Sequence, residues 1–97
     1  MKRIGKLIAG AIRNMEPDDD QLRYGSMEKW SEIAGEELAS LSSPVEFRKD
    51  VLFVRVRHPL ASMELMRRKE KILKKINSMY GKVLFSDIRI LTGINGR

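Results

Sequence analysis

Residues 45–59 read VEFRKDVLFVRVRHP, and their apolar side chains recur with a period of two. Val45 and Phe47 alternate with Glu46 and Arg48, while Leu52, Val54 and Val56 alternate with Phe53, Arg55 and Arg57. Alternation sends successive side chains to opposite faces of a pleated strand, so the stretch predicts two half-buried strands. Lys49-Asp50 falls between them and predicts a β-hairpin, although it lacks the Asn-Gly or Asp-Gly of the most strongly favoured tight turns. His58-Pro59 closes the second strand, because proline has no N–H to give a ladder.

Downstream the period changes. From Leu60 to Tyr80, Leu65, Met66, Ile72, Leu73, Ile76, Met79 and Tyr80 share one helical arc, and Arg67, Arg68, Lys71, Lys74 and Lys75 share another. Gly81 stops this helix. Lys69 falls inside the apolar arc and must either snorkel outward or pair with a buried carboxylate. Residues 83–91, VLFSDIRIL, predict a third strand with Leu84, Ile88 and Ile90 inward and Phe85, Asp87 and Arg89 outward.

Upstream, Leu22, Met27, Trp30, Ile33, Ala34, Leu38 and Leu41 keep helical spacing. Gly25-Ser26 is a place for that helix to restart, Gly35 one for it to bend, and Ser42-Ser43-Pro44 one for it to end. Residues 1–15 form an amphipathic pattern through Ile4, Leu7, Ile8, Ala11, Ile12 and Met15, weakened by Gly5 and Gly10 and so in need of a surface to lie on. The expected organisation is an α/β chain of the α+β kind in the order α-α-β-β-α-β, its three-stranded sheet packed on helices. An N-terminal helix occupies residues 1–15, the domain residues 22–92, and a short tail residues 93–97.

At 97 residues the chain is one small domain, able to bury roughly 60–65% of its unfolded surface. Without cysteine it has no disulfides, no thiolate chemistry and no cysteine-based metal site. The basic, apolar start resembles a leader, but Lys6 interrupts the apolar run and no small-residue cleavage site follows. No segment approaches a membrane span, so a soluble, cytoplasmic protein is expected. The net charge of +6 is unevenly spread: +4 over residues 1–15, −6 over 16–42 and +8 over 43–97. Such a field attracts polyanions without choosing among sequences.

Little points to catalysis or to a small-molecule substrate. His58 is the single histidine, so neither a metal cluster nor a nucleophile–base pair can form around it. No serine has the glycine context of a nucleophile elbow. Glu16-Pro17-Asp18-Asp19-Asp20 lacks the spacing of a calcium loop and reads as a helix cap in a solvated turn. Gly93-Ile94-Asn95-Gly96 has a GxxG spacing but follows the last strand, where it has no helices to join. Neither an enzyme nor a cofactor is expected.

The long helix carries the functional signal. Six of the nine residues from Arg67 to Lys75 are basic, and only Glu64 and Glu70 dilute them. A solvated face usually mixes signs, whereas five like charges on one flank repel each other unless a phosphate backbone meets them. Arg67, Arg68, Lys71, Lys74 and Lys75 are therefore candidate nucleic-acid contacts, with Arg55 and Arg57 on the sheet in support. Phe53 and Phe85 beside those arginines could stack bases; equally, the residue 1–15 helix could cover them or dock a partner protein.

Trp30-Ser31-Glu32-Ile33-Ala34-Gly35, Pro44, Leu52-Phe53-Val54-Arg55-Val56, Glu64-Leu65, Ile72-Leu73, Ile76-Asn77 and Ile88-Arg89-Ile90 together resemble the DciA-like family, formerly a domain of unknown function. The resemblance spans about residues 22–92 and implies a KH-like domain associated with DNA and with a replicative DNA helicase of the DnaB type. The order from residue 26 onward looks like a type II KH arrangement, but no glycine lies between residues 60 and 80, so the GxxG clamp loop is missing. Trp30 and Gly35 match the family signature and read first as close helix–sheet packing. Two departures from the family pattern stand out: relatives often carry an aromatic near the position of Ala61, and many carry a long polar extension that has almost no counterpart in this sequence. Two other readings of the same residues are a protein-interaction module without nucleic acid and an RNA-binding KH-like protein.

Overall fold

A computed structural model describes residues 17–91. Its elements are α1 (Asp19–Glu28), α2 (Trp30–Ala34), α3 (Glu36–Ser40), β1 (Ser42–Arg48), β2 (Val51–Val56), α4 (Pro59–Tyr80) and β3 (Asp87–Leu91). The expected helix over residues 1–15, the tail and the Gly93–Gly96 pattern lie outside the described residues.

The hairpin forms as its alternation requires. β1 and β2 pair antiparallel, with Phe47 opposite Leu52 and Pro44 opposite Val54. Lys49 turns the chain in the left-handed region (φ 56°). The register slips between Pro44 and Glu46, making Val45 the extra residue of a bulge. Ser42-Ser43-Pro44 thus opens β1 instead of merely ending the helix before it. β1 is an edge strand, where the missing N–H of Pro44 is tolerated.

β2 pairs parallel with β3, Leu52 opposite Ile88 and Val54 opposite Ile90. Parallel neighbours need a crossover, and α4 supplies it. The result is a mixed sheet in the order β1-β2-β3, the expected α+β architecture. Its inner face, through Leu52, Val54, Val56 and Ile88, meets Leu65, Ile72 and Ile76 of α4 and Trp30, Ile33, Ala34 and Leu38 of α2 and α3. Each such large side chain contributes about 1.5–3 kcal/mol on leaving water.

The second expected helix divides into three. Asp18 caps α1, its Oδ1 accepting from Gln21 N at 2.9 Å while Gln21 Oε1 accepts from Asp18 N at 3.1 Å, a capping box. Gly25 lies inside α1, and the first break comes later, at Lys29. Gly35 makes the second break at φ 94° and ψ 150°, a conformation essentially restricted to glycine. It is exposed, and a Cβ built on it would meet nothing within 4 Å. Backbone conformation, not the close packing expected from the sequence, therefore explains Gly35. Trp30 is packed as expected: the buried indole Nε1 donates to Ser42 Oγ at 3.0 Å, and that hydroxyl donates to Leu38 O at 2.6 Å.

α4 is continuous for 22 residues, so no clamp loop interrupts it. His58 Nδ1 accepts from Leu60 N at 3.0 Å, Pro59 occupies the first turn, and Gly81 ends the helix left-handed at φ 70°. Met66, expected inward, is exposed.

The third strand is shorter than residues 83–91. Val83 is exposed, whereas Leu84 and Phe85 turn into the core before pairing begins at Asp87. Asn77 fixes this entry: its Oδ1 accepts from Leu84 N at 2.7 Å and Phe85 N at 3.1 Å, and its Nδ2 donates to Phe85 O at 3.0 Å. Arg23 braces it from α1, donating from Nε to Leu84 O at 2.7 Å with its guanidinium 5.8 Å from the Phe85 ring centroid. Phe85 is therefore unavailable on the outer face of the sheet, because the chain breaks alternation where it leaves the Gly81 turn.

Candidate nucleic-acid interface

One flank of α4 gathers Arg67, Arg68, Lys71, Lys74 and Lys75. At 100° per residue they span about 120°, centred well away from the buried line through Leu65, Ile72 and Ile76. The burial of one line fixes the exposure of the other.

The charges on this flank are unequally compensated. Glu64 accepts from Arg67 Nη2 at 2.5 Å and from Arg68 Nε at 2.6 Å, so two guanidiniums share one carboxylate. Arg67, and then Arg68, hold that carboxyl below its ordinary value. Lys75 Nζ donates to Glu32 O at 2.9 Å, which positions the ammonium against α2 without neutralising it. Lys71 and Lys74 form no ion pair among the described residues. Five cations against Glu64 and Glu70 leave the flank at +3. Between α2 and α4 a shallow groove of about 180 Å³ has Ile33, Ala34 and Ile72 as its floor and Arg68, Lys71 and Lys75 as its rim.

Arg55 and Arg57 do not join this cluster. Arg55 alternates with the inward-facing Val54 and Val56, so it projects from the sheet face opposite α4. There it stands with Phe53, which is in register with Glu46 and Arg89. Arg48 adds its guanidinium 5.6 Å from the Phe53 ring centroid. The sequence reading overlooked Arg48, although its parity within β1 places it on this face.

Lys69 pairs with Asp87 of β3, Nζ to Oδ1 2.5 Å, the second of its two expected outcomes except that this carboxylate is half-buried, not buried. Asp87 is held at about 2, first by the Lys69 ammonium and then by the Arg89 guanidinium. The acidic run is absorbed by local structure: Asp18 caps α1, Asp19 pairs with Lys82 at 2.7 Å and Asp20 with Arg23 at 2.8 Å. Among the described residues no three His, Asp or Glu side chains converge on a metal position. No helix in that span is long and apolar enough to cross a membrane.

At the N-terminal end of α4 the outer flank turns apolar. Leu60 and Met63 are 65% and 68% exposed, beside Leu41 at 39%. Leu41 and Leu60 border a groove of about 330 Å³ whose lining continues through Leu38, Ala61, Glu37, Glu64 and Arg68, and Met63 stands exposed beside it. Sequence periodicity gave no notice of it, because the groove exists only where α3 meets α4.

Residues 3–90 match the family model described as Dna[CI] antecedent, DciA. No curated protein matches the chain.

Proposed function

The chain belongs to the DciA family of replicative-helicase loaders and operators, and we propose that it is a non-catalytic adaptor that holds single-stranded or forked DNA against a DnaB-type helicase. The observation that carries the DNA contact is the uncompensated charge on α4. Lys71 and Lys74 lack ion-pair partners among the described residues, and Arg67 and Arg68 have one carboxylate between them. The mixed sheet and its crossover helix support a KH-like reading. With α4 unbroken, the backbone contact falls to side-chain cations instead of a glycine loop. An adaptor for a replicative helicase would act in the cytoplasm.

The test is the binding of a labelled oligothymidylate across a salt series. Three released counterions predict roughly twentyfold weaker binding between 50 and 200 mM salt. Lys71→Glu combined with Lys74→Glu weakens it at least about tenfold; affinity unchanged by both salt and charge reversal would refute the reading. RNA and DNA oligomers of equal length separate an RNA-binding role from the proposed one.

The apolar groove favours a second contact, with protein. We place the helicase there, because Leu41, Leu60 and Met63 expose apolar surface that the domain itself does not cover. An adaptor so built keeps DNA and helicase on successive portions of one helix.

A further inference from the structure

The outer face of the sheet carries a second concentration of cations around an aromatic ring. Phe53 sits on the central strand with Glu46 on one side and Arg89 on the other. Arg48 sets its guanidinium 5.6 Å from the ring centroid, and Arg55 follows two residues along the same face. Arg48 and Arg89 are 75% and 65% exposed.

Local acids do not cancel this charge. Glu46 approaches Arg48 only to 3.7 Å, and Asp87, which meets Arg89 at 3.1 Å, is already claimed by Lys69 from the helix layer. The described helices pack on the other face, against Leu52, Val54 and Val56. The α4 cations and the Phe53 face are therefore separated by the sheet and by a helix about 10 Å across.

We infer that the Phe53 face is a second site for single-stranded polynucleotide, independent of the α4 flank. An unpaired base stacks on the Phe53 ring between Arg48 and Arg89, while Arg55 meets the adjoining phosphate. A duplex keeps its bases stacked on one another and offers this ring nothing, so the ligand is a single strand. Charge complementarity selects a polyanion over an apolar peptide. With the proposed α4 contact the domain holds two strands at once, as the two arms of a fork would require. The sheet site itself does not depend on that contact.

The experiment uses the full chain with Lys71→Glu and Lys74→Glu, which removes the α4 contribution, and a fluorescent hexathymidylate as probe. Residual binding is expected, competed by unlabelled single strand and not by duplex. Phe53→Ala and Arg55→Glu each weaken it about tenfold, the loss of one stacked base or one phosphate contact. Phe53→Trp retains it, and the new indole fluorescence is quenched by the oligomer. Failure of the α4 reading alone leaves Lys71→Glu with Lys74→Glu at full wild-type affinity, with Phe53→Ala still damaging. The inference is overturned if Phe53→Ala and Arg55→Glu leave residual binding unchanged. It is equally overturned if Phe53→Ala lowers the melting temperature without touching binding, which would assign the ring to the apolar stripe of residues 1–15.

Discussion

Lys69 and Asp87 bind across the α4–β3 contact, Nζ to Oδ1 2.5 Å, each side chain 28% exposed. The pair ties the crossover helix to the edge strand it delivers. It also takes Lys69 out of the cationic flank to which its neighbours Arg68 and Lys71 belong.

This pair makes stability depend on acid. The Asp87 carboxyl titrates at about 2 instead of its ordinary 3.8, chiefly through Lys69 and next through Arg89. A depressed carboxylate contributes stability that is complete above about pH 4 and is lost as pH falls toward 2. Lys69→Met should raise the Asp87 titration midpoint toward its ordinary value and flatten the stability profile between pH 4 and 2. At neutral pH it should cost about 1 kcal/mol, or ~5 °C in melting temperature. Carboxyl NMR titration and thermal melts read both effects.

Asn77 holds three polar groups of the backbone at Leu84 and Phe85. Asn77→Leu would leave them unpaired next to the core and should destabilise by about 3 kcal/mol in urea titration. Asn77→Asp keeps the acceptor and loses the donor, so its cost should be smaller. Equal costs for the two variants would show that the side-chain amide proton, not the paired acceptor contacts, secures the loop.

Two glycines should respond oppositely. Gly35→Ala forces a Cβ into the φ 94° conformation and should cost about 2 kcal/mol even though space is free. Gly25 is interior to α1, and an added Cβ comes to an ordinary 3.6 Å from Tyr80 Oη. Gly25→Ala should stabilise by about 0.5–1 kcal/mol. Denaturant midpoints for the pair test whether the break after α2 is a backbone requirement.

How these features relate to the sequence follows from the range of the forces behind them. The hairpin was legible because a period of two is set by neighbours, and the α4 arcs because a period of 3.6 is. Lys69 was recognisable as a misfit, but Asp87 as its partner required the parallel β2–β3 register. The break at Lys29 carries no glycine or proline, so local chemistry did not announce it. Arg55 and Lys71 each sat on a correctly identified outward face. That those faces point in opposite directions follows only from packing helix on sheet, which no single-element periodicity contains.

Glu64 tempers the cationic flank, and its removal should strengthen polyanion binding. Glu64→Gln frees the Arg67 and Arg68 guanidiniums from their shared carboxylate and raises the net charge by one. Single-strand affinity at low salt should rise severalfold, with the salt slope steeper by about 0.7. Anisotropy titrations at four salt concentrations measure both. An unchanged slope would mean that Arg67 and Arg68 take no part in the contact.

The apolar groove should respond to changes remote from Lys71 and Lys74. Leu60 and Met63 are exposed, so Leu60→Glu with Met63→Glu removes no core packing and should leave the melting temperature within a degree or two. If the helicase seats an apolar side chain against Leu41 and Ala61, the same two carboxylates meet it with buried charge, and association should fall at least tenfold. Binding to purified DnaB-type helicase, followed by calorimetry beside oligothymidylate binding, separates the two surfaces. Helicase affinity should drop while single-strand affinity declines only modestly, because the added negative charge lies a full helical turn or more from Lys71 and Lys74. Retained helicase affinity would move the protein contact off this groove and leave the exposed Leu60 and Met63 without a partner.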